Sequence, residues 1–240
     1  MTWNRPRSPI APALLLLLLT TAVPTDPARG GDDDATAPPP APLVLFDGKA
    51  LDGWEPTDFY KPGEVAVEDG AIVLGLSPAS GGMTGITSTR TDLPRTDYEL
   101  SYRAKRVSGR DFFAAATFPV GETYLTLVNG GWGGTVTGLS SIDGADASEN
   151  LTGTFREYEN GTWYAFKVRV TDASIRCWVD DEQIVTFDPR GHHLGTRLET
   201  SFNQPLGFAT WETSGAIKEI VIRPLSPEEV AAETQAAESP

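Results

Sequence analysis

The chain has 240 residues, with 33 acidic side chains against 19 basic ones and a formal charge of −14. That balance disfavours nucleic acid and anionic lipid as partners and suits a neutral carbohydrate or glycoside ligand, or a cation. A single cysteine, Cys177, excludes an intrachain disulfide and a thiolate zinc site, so stability must come from an apolar core.

Arg5 and Arg7 precede an apolar stretch over 10–23 that contains the unbroken leucine run 14–19. The stretch is short for a membrane span, and Thr20 and Ala22 are small, so residues 1–23 read as a signal peptide. Its removal leaves 17 basic against 33 acidic side chains, a net −16. The expected location is periplasmic or extracellular, with no membrane association after cleavage. Residues 24–42 hold Pro, Ala, Gly and the run Asp32-Asp33-Asp34, a linker composition without the means to bury a core.

From residue 43 to residue 225 the periodicity is two. Tyr98, Leu100, Tyr102 and Ala104 alternate with Glu99, Ser101, Arg103 and Lys105. Tyr164, Phe166, Val168 and Val170 alternate with Ala165, Lys167, Arg169 and Thr171. One wet face and one buried face per segment is the antiparallel pattern. Asp69-Gly70 between two apolar runs marks a tight hairpin, and Asp180-Asp181 a weaker one. Further strands are predicted over 86–90, 112–118, 123–128, 135–140, 198–202, 206–211 and 216–223. Many short strands without a 3.6-residue pattern predict an all-β sandwich of two large antiparallel sheets. Cys177 falls on the apolar side of its strand and reads as a buried, inert thiol. Residues 226–240 carry four Glu and no base. Ser226 and Pro227 suit the start of a short helix, and the remainder reads as a frayed tail.

The segment 129–150 concentrates candidate site residues. Gly130-Gly131-Trp132-Gly133-Gly134 sets one indole among four glycines. Such a loop can bring Trp132 flat against a sugar, or it can be a tight turn with the ring packed inward. Asp143, Asp146, Glu149 and Asn150 follow closely. They could hold sugar hydroxyls, bind Ca²⁺ through oxygen ligands, supply a base of raised pKa, or form a solvated turn. The spacing does not match an EF-hand, so no metal site and no cofactor is assigned, with a divalent cation such as Ca²⁺ left open. Trp163, Trp178 and Trp211 fall opposite apolar positions and are ligand or packing candidates. His192 and His193 are adjacent and make a poor metal pair. The candidate set is therefore Asp143 and Asp146 as catalytic carboxylates, with Asn129, Trp132, Glu149, Asn150, Trp178 and Trp211 as sugar contacts.

Leu45-Phe46-Asp47-Gly48-Lys49 with Leu51-Asp52-Gly53-Trp54 resembles the opening of the 3-keto-disaccharide hydrolase family. Asp97-Tyr98-Glu99-Leu100, Gly161-Thr162-Trp163-Tyr164, Trp178-Val179-Asp180 and a closing strand from Ile217 to Leu225 follow in similar order. The resemblance implies a concanavalin A-like jelly-roll sandwich of two curved antiparallel sheets in an exported protein. It implies cleavage of glycosides oxidised at C3, where the ketone acidifies the C2 proton and a base triggers elimination before water adds back. Many members carry Gly-x-Ser-Gly-Ile/Val on a middle strand, followed by alternating Glu and Asp. Here that stretch is Asp111-Phe112-Phe113-Ala114-Ala115-Ala116-Thr117-Phe118, without an internal acid or base, so no catalytic residue carries over. A carbohydrate-binding module and a cell-envelope assembly domain remain alternative functions.

Overall fold

The computed structural model describes residues 1–2 and 41–238. The expected signal peptide and most of the expected linker fall on residues 3–40 and lie outside the described residues.

The first half of the chain supplies β1 (Leu43–Val44), β2 (Trp54–Pro56), β3 (Val65–Glu68), β4 (Ala71–Leu74), β5 (Met83–Ser88), β6 (Tyr98–Gly109), β7 (Ala115–Val120) and β8 (Thr123–Gly131). The second supplies β9 (Val136–Ser140), β10 (Thr154–Phe155), β11 (Tyr164–Val170), β12 (Ile175–Val179), β13 (Glu182–Phe187), β14 (Gly207–Trp211) and β15 (Thr213–Pro224). They form two antiparallel sheets. The eight-stranded sheet runs β13-β12-β11-β6-β15-β4-β3, with β1 added on β15. The seven-stranded sheet runs β10-β9-β8-β7-β14-β5-β2. The all-β sandwich expected from the period-two pattern is thus the architecture found.

Register turns the alternation into a core. Phe166 lies opposite Tyr102 and Val168 opposite Leu100, so four apolar side chains share one face of β11 and β6. Ile217, Ile220 and Ile222 of β15 continue that face, and Phe118, Leu125, Leu127, Leu139 and Phe208 meet it from the other sheet. Tyr102 stacks on Phe166 at 5.1 Å and meets Phe208 edge-on at 4.9 Å. Cutting a fully buried ring such as Phe208 back to Ala would cost about 3–5 kcal/mol. Cys177 is fully buried in this cluster, and burial pushes its thiol well above the ordinary range.

Two segments differ from the sequence expectation. Residues 198–202, expected as a strand, belong to a short 3₁₀ helix over Glu199–Asn203. Its apparent alternation misleads, because Leu198 and Phe202 are exposed, at 79% and 55%, while Thr200 and Asn203, three apart, turn inward. Thr200 meets Thr126 (Oγ1–Oγ1 3.2 Å), and the Asn203 amide reaches Thr57 Oγ1 at 2.9 Å, which pins the helix across the seven-stranded sheet. The tail expected to fray after a short start is helical over Pro227–Glu238, α1. Ser226 Oγ accepts from Glu229 N at 3.2 Å and Glu229 Oε2 accepts from Ser226 N at 2.9 Å, a reciprocal cap. Charge then docks the helix on the eight-stranded sheet. Glu233, 3% exposed, pairs with Arg169 (3.0 Å) and Arg176 (2.9 Å) and accepts from Ser174 Oγ at 2.8 Å. Glu229 takes two bonds from Arg223, both 2.8 Å.

Candidate functional site

On the seven-stranded sheet Leu127, Leu139 and Phe208 point into the core, so Val128, Ser140 and Trp211 point away from it. A cavity of about 250 Å³ opens on that outer side. Phe112, Trp132 and Trp211 supply its aromatic walls, Met83 and Val128 its apolar floor, and Asp111, Ser140, Arg197, Glu199 and Thr200 its polar groups.

Local backbone chemistry places each group. Trp132 has φ +50° at the tip of the β8–β9 hairpin, where Gly134 N and Thr135 N both donate to Gly131 O. A Cβ on Gly134, at φ +118°, would sit 2.6 Å from Arg110 O, so only glycine lets the hairpin close there. Asp111 Oδ2 accepts from Gly133 N at 2.8 Å and Oδ1 from Phe112 N at 2.9 Å, which holds the Trp132 turn beside Phe112. Trp132 remains 43% exposed, an available flat surface. Trp211 leans on Gly81, where an added Cβ would stand 3.4 Å from the indole.

Across the cavity Arg197 is forked between carboxylates. Nε and Nη2 meet Glu199 at 3.3 Å each, and Nη1 bonds Asp146 Oδ2. The guanidinium lowers the Glu199 pKa below the ordinary carboxylate value, and Glu199 in turn raises that of Arg197. Ionised carboxylates beside aromatic planes can accept from sugar hydroxyls, and the forked guanidinium can donate to a sugar oxygen.

The structure distributes the sequence candidates unevenly. Trp132 and Trp211 both line the cavity. Asp146 stands one step behind it, holding Arg197. Asp143 turns instead to the following loop, accepting from His193 N at 2.8 Å and pairing with His192 Nδ1 at 2.7 Å. Its pKa is lowered, chiefly by the His192 hydrogen bond, the opposite of what a base of raised pKa requires. Asn129 is fully buried, with Oδ1 accepting from Ala114 N at 3.3 Å, because the alternation that turns Leu125 and Leu127 inward continues to it. Asn150 spends its amide on Leu139 O, Ala145 O and Thr152, a turn lock rather than a sugar contact. Glu149 is exposed and outside the cavity. Trp178 lies on the other sheet, under Lys167 and Arg169. Among the described residues no group of three or more His, Cys, Asp or Glu is placed to hold a metal, so the three loop carboxylates form no oxygen cage. The sequence reading missed Asp111, Phe112, Arg197 and Glu199. Glu199 and Arg197 sat in or beside a presumed strand, and Asp111 at the edge of one.

A family model described as a 3-keto-alpha-glucoside-1,2-lyase-like domain matches residues 42–223. No curated protein matches the chain significantly by sequence. Among solved structures, the Crh5 transglycosylase in complex with NAG is similar at 15% identity and TM-score 0.55, over 79% of this chain and 88% of that one. A protein of unknown function with a galectin-like fold from Bacillus subtilis is similar at 9% identity and TM-score 0.53, over 72% and 90% of the two chains. At these identities the likeness shows the fold alone, a jelly-roll sandwich.

Proposed function

Because the chain belongs to the 3-keto-alpha-glucoside-1,2-lyase-like family, we propose that its cavity takes a glycoside oxidised at C3 and eliminates the aglycone across C1 and C2. The observation that carries this reading is the coincidence in one cavity of two indoles, a forked Arg197 and an ionised Glu199. The sugar ring rests on Trp132 and Trp211, and Asp111 accepts from its hydroxyls. Arg197 donates to the C3 ketone oxygen. Glu199 takes the C2 proton, and the electron pair moves into the enolate whose oxygen Arg197 stabilises. The C1–O bond then breaks to leave a C1–C2 double bond. The departing oxygen takes a proton from solvent; water then adds its hydroxyl to C1 and releases a proton to solvent, while Glu199 returns its proton to C2. Export to the periplasm or beyond belongs to the same proposal, resting on the leader composition.

One observation favours a second reading. Arg197 lowers the Glu199 pKa, which weakens it as a base, so the cavity could hold a sugar without turning it over. A p-nitrophenyl 3-keto-glucoside separates the two, since nitrophenolate release reports elimination and calorimetry reports binding. Elimination predicts release by the parent protein, a loss of about 10²–10⁴-fold in Glu199→Gln, and retained affinity in that variant. Affinity without release replaces the lyase by a sugar-binding module. Affinity indifferent to both Trp132→Ala and Trp211→Ala removes the cavity from the function altogether.

A further inference from the structure

The outer face of the eight-stranded sheet concentrates cations on a chain whose net charge is −14. Tyr98, Leu100, Tyr102, Phe166, Val168 and Val170 face the core, so the intervening residues of β6 and β11 face outward. Arg103 lies opposite Lys218 of β15, and Lys167 stands one outward row from it across β6 and β11. Lys105 stands in the next row along β6. Strands are spaced about 4.8 Å apart and outward rows about 6.8 Å apart, so these cations form a patch roughly 10 Å wide and roughly 14 Å long.

One end of the face already holds carboxylates. There Arg169, Arg176 and Arg223 receive Glu229 and Glu233 of the chain's own helix α1, together with Glu99 of β6. The other end is not matched in this way. Lys218 has an ion pair with Glu219 at 3.3 Å, whose carboxylate side chain is 58% exposed. Arg103, Lys105 and Lys167 have no carboxylate partner among the described residues, and Arg103 Nε is buried without a hydrogen bond. Two indoles hold the ammonium groups in place. Lys105 and Lys218 lie 4.9 and 4.7 Å from the Trp163 ring centre, and Lys167 lies 4.5 Å from that of Trp178. Cation–π contact restricts these long side chains and lowers the entropy that a bound anion must remove. It also occupies the ring faces, so the indoles serve to present charge.

We propose that this patch binds a linear polyanionic glycan of the polyuronate class, separately from the cavity on the opposite sheet. A narrow extended polymer can lie along the patch and touch little else. An acidic globular protein of comparable charge would bring its flanks against the carboxylates that dominate the rest of this surface. Repeating carboxylates on such a polymer match charges repeated by strand geometry, and Glu229 and Glu233 show that carboxylates dock on this face.

The test measures binding of the full chain to polygalacturonate, with dextran as the neutral control and poly-glutamate as the acidic polypeptide. The expected result is retention of polygalacturonate above both controls, lost on raising salt to about 0.5 M. A combined Arg103→Gln, Lys105→Gln, Lys167→Gln and Lys218→Gln variant should bind about tenfold more weakly or worse. If that variant does not fold, Lys105→Gln and Lys167→Gln alone should each give a partial loss. No binding by the parent chain, or binding untouched by these substitutions, overturns the proposal. Equal or better binding of poly-glutamate overturns the glycan assignment in favour of an acidic polypeptide.

Discussion

Glu233→Gln tests whether charge or apolar packing holds α1. The side chain is 4% exposed and meets Arg169 Nη1 at 3.0 Å, Arg176 Nε at 2.9 Å and Ser174 Oγ at 2.8 Å. The Arg176 contact is an ion pair without hydrogen-bond alignment, since that Nε has no well-directed acceptor. Arg176 and Arg169 are direct cross-strand neighbours, so loss of the carboxylate leaves two guanidinium groups facing each other. Breaking a buried pair from one side costs about 3–5 kcal/mol. Arg169 keeps Glu99, and both arginines retain roughly a fifth of their exposure, so we expect the lower range, about 2–3 kcal/mol. Urea unfolding should report that loss at unchanged m-value, and the melting temperature should fall by about 4–12 °C. Early amide exchange in Pro227–Glu238 should accompany it. A loss below about 0.5 kcal/mol would refute the reasoning and assign the helix to apolar contact instead.

Cys177 should resist a thiol reagent in the native protein and react once per chain in denaturant, because burial raises its pKa and shields it; native reactivity would contradict the packing. Acid should destabilise the fold over a defined window. The Arg223 hydrogen bond holds Glu229 at about 2, below its ordinary 4.5, so its contribution is present above about pH 4.5 and lost as pH falls toward 2. Denaturant midpoints should be level from pH 7 to 5 and decline below, and Glu229→Gln should flatten part of that decline; an unchanged profile would assign the acid response elsewhere.

The fold was legible in the sequence because its signal is local and repeated. Tyr98 to Ala104 and Tyr164 to Val170 alternate cleanly, and each strand's inner face could be named before any pairing was known. The site was legible only where the backbone carries a mark. Four glycines around Trp132 announce an unusual turn, and Trp211 falls on the face opposite Phe208. Arg197 and Glu199 carry no such mark. They reach the cavity because the 3₁₀ helix is folded over the sheet by bonds from Thr200 and Asn203 to Thr117, Thr126 and Thr57, all more than 70 residues away in the chain. The acidic loop was conspicuous for a different reason: its density reflects turn-locking bonds within residues 139–152 and a latch to a distant loop.

That latch makes a last prediction. Asp143 joins its own loop to His192 and His193, and Ser141 and Gly195 exchange backbone bonds beside it, Ser141 N to Gly195 O at 2.6 Å and the reverse at 3.1 Å. Two residues on, Arg197 enters the cavity. Asp143 thus sits where it can set the position of Arg197 without touching a ligand. Asp143→Ala should leave the core intact, because the side chain is half exposed, and yet weaken sugar affinity by about two- to fivefold. His192→Gln should keep part of that affinity, since His193 N still donates to Asp143. If Asp143→Ala retains full affinity, the latch does not govern Arg197, and the 3₁₀ helix alone positions the guanidinium.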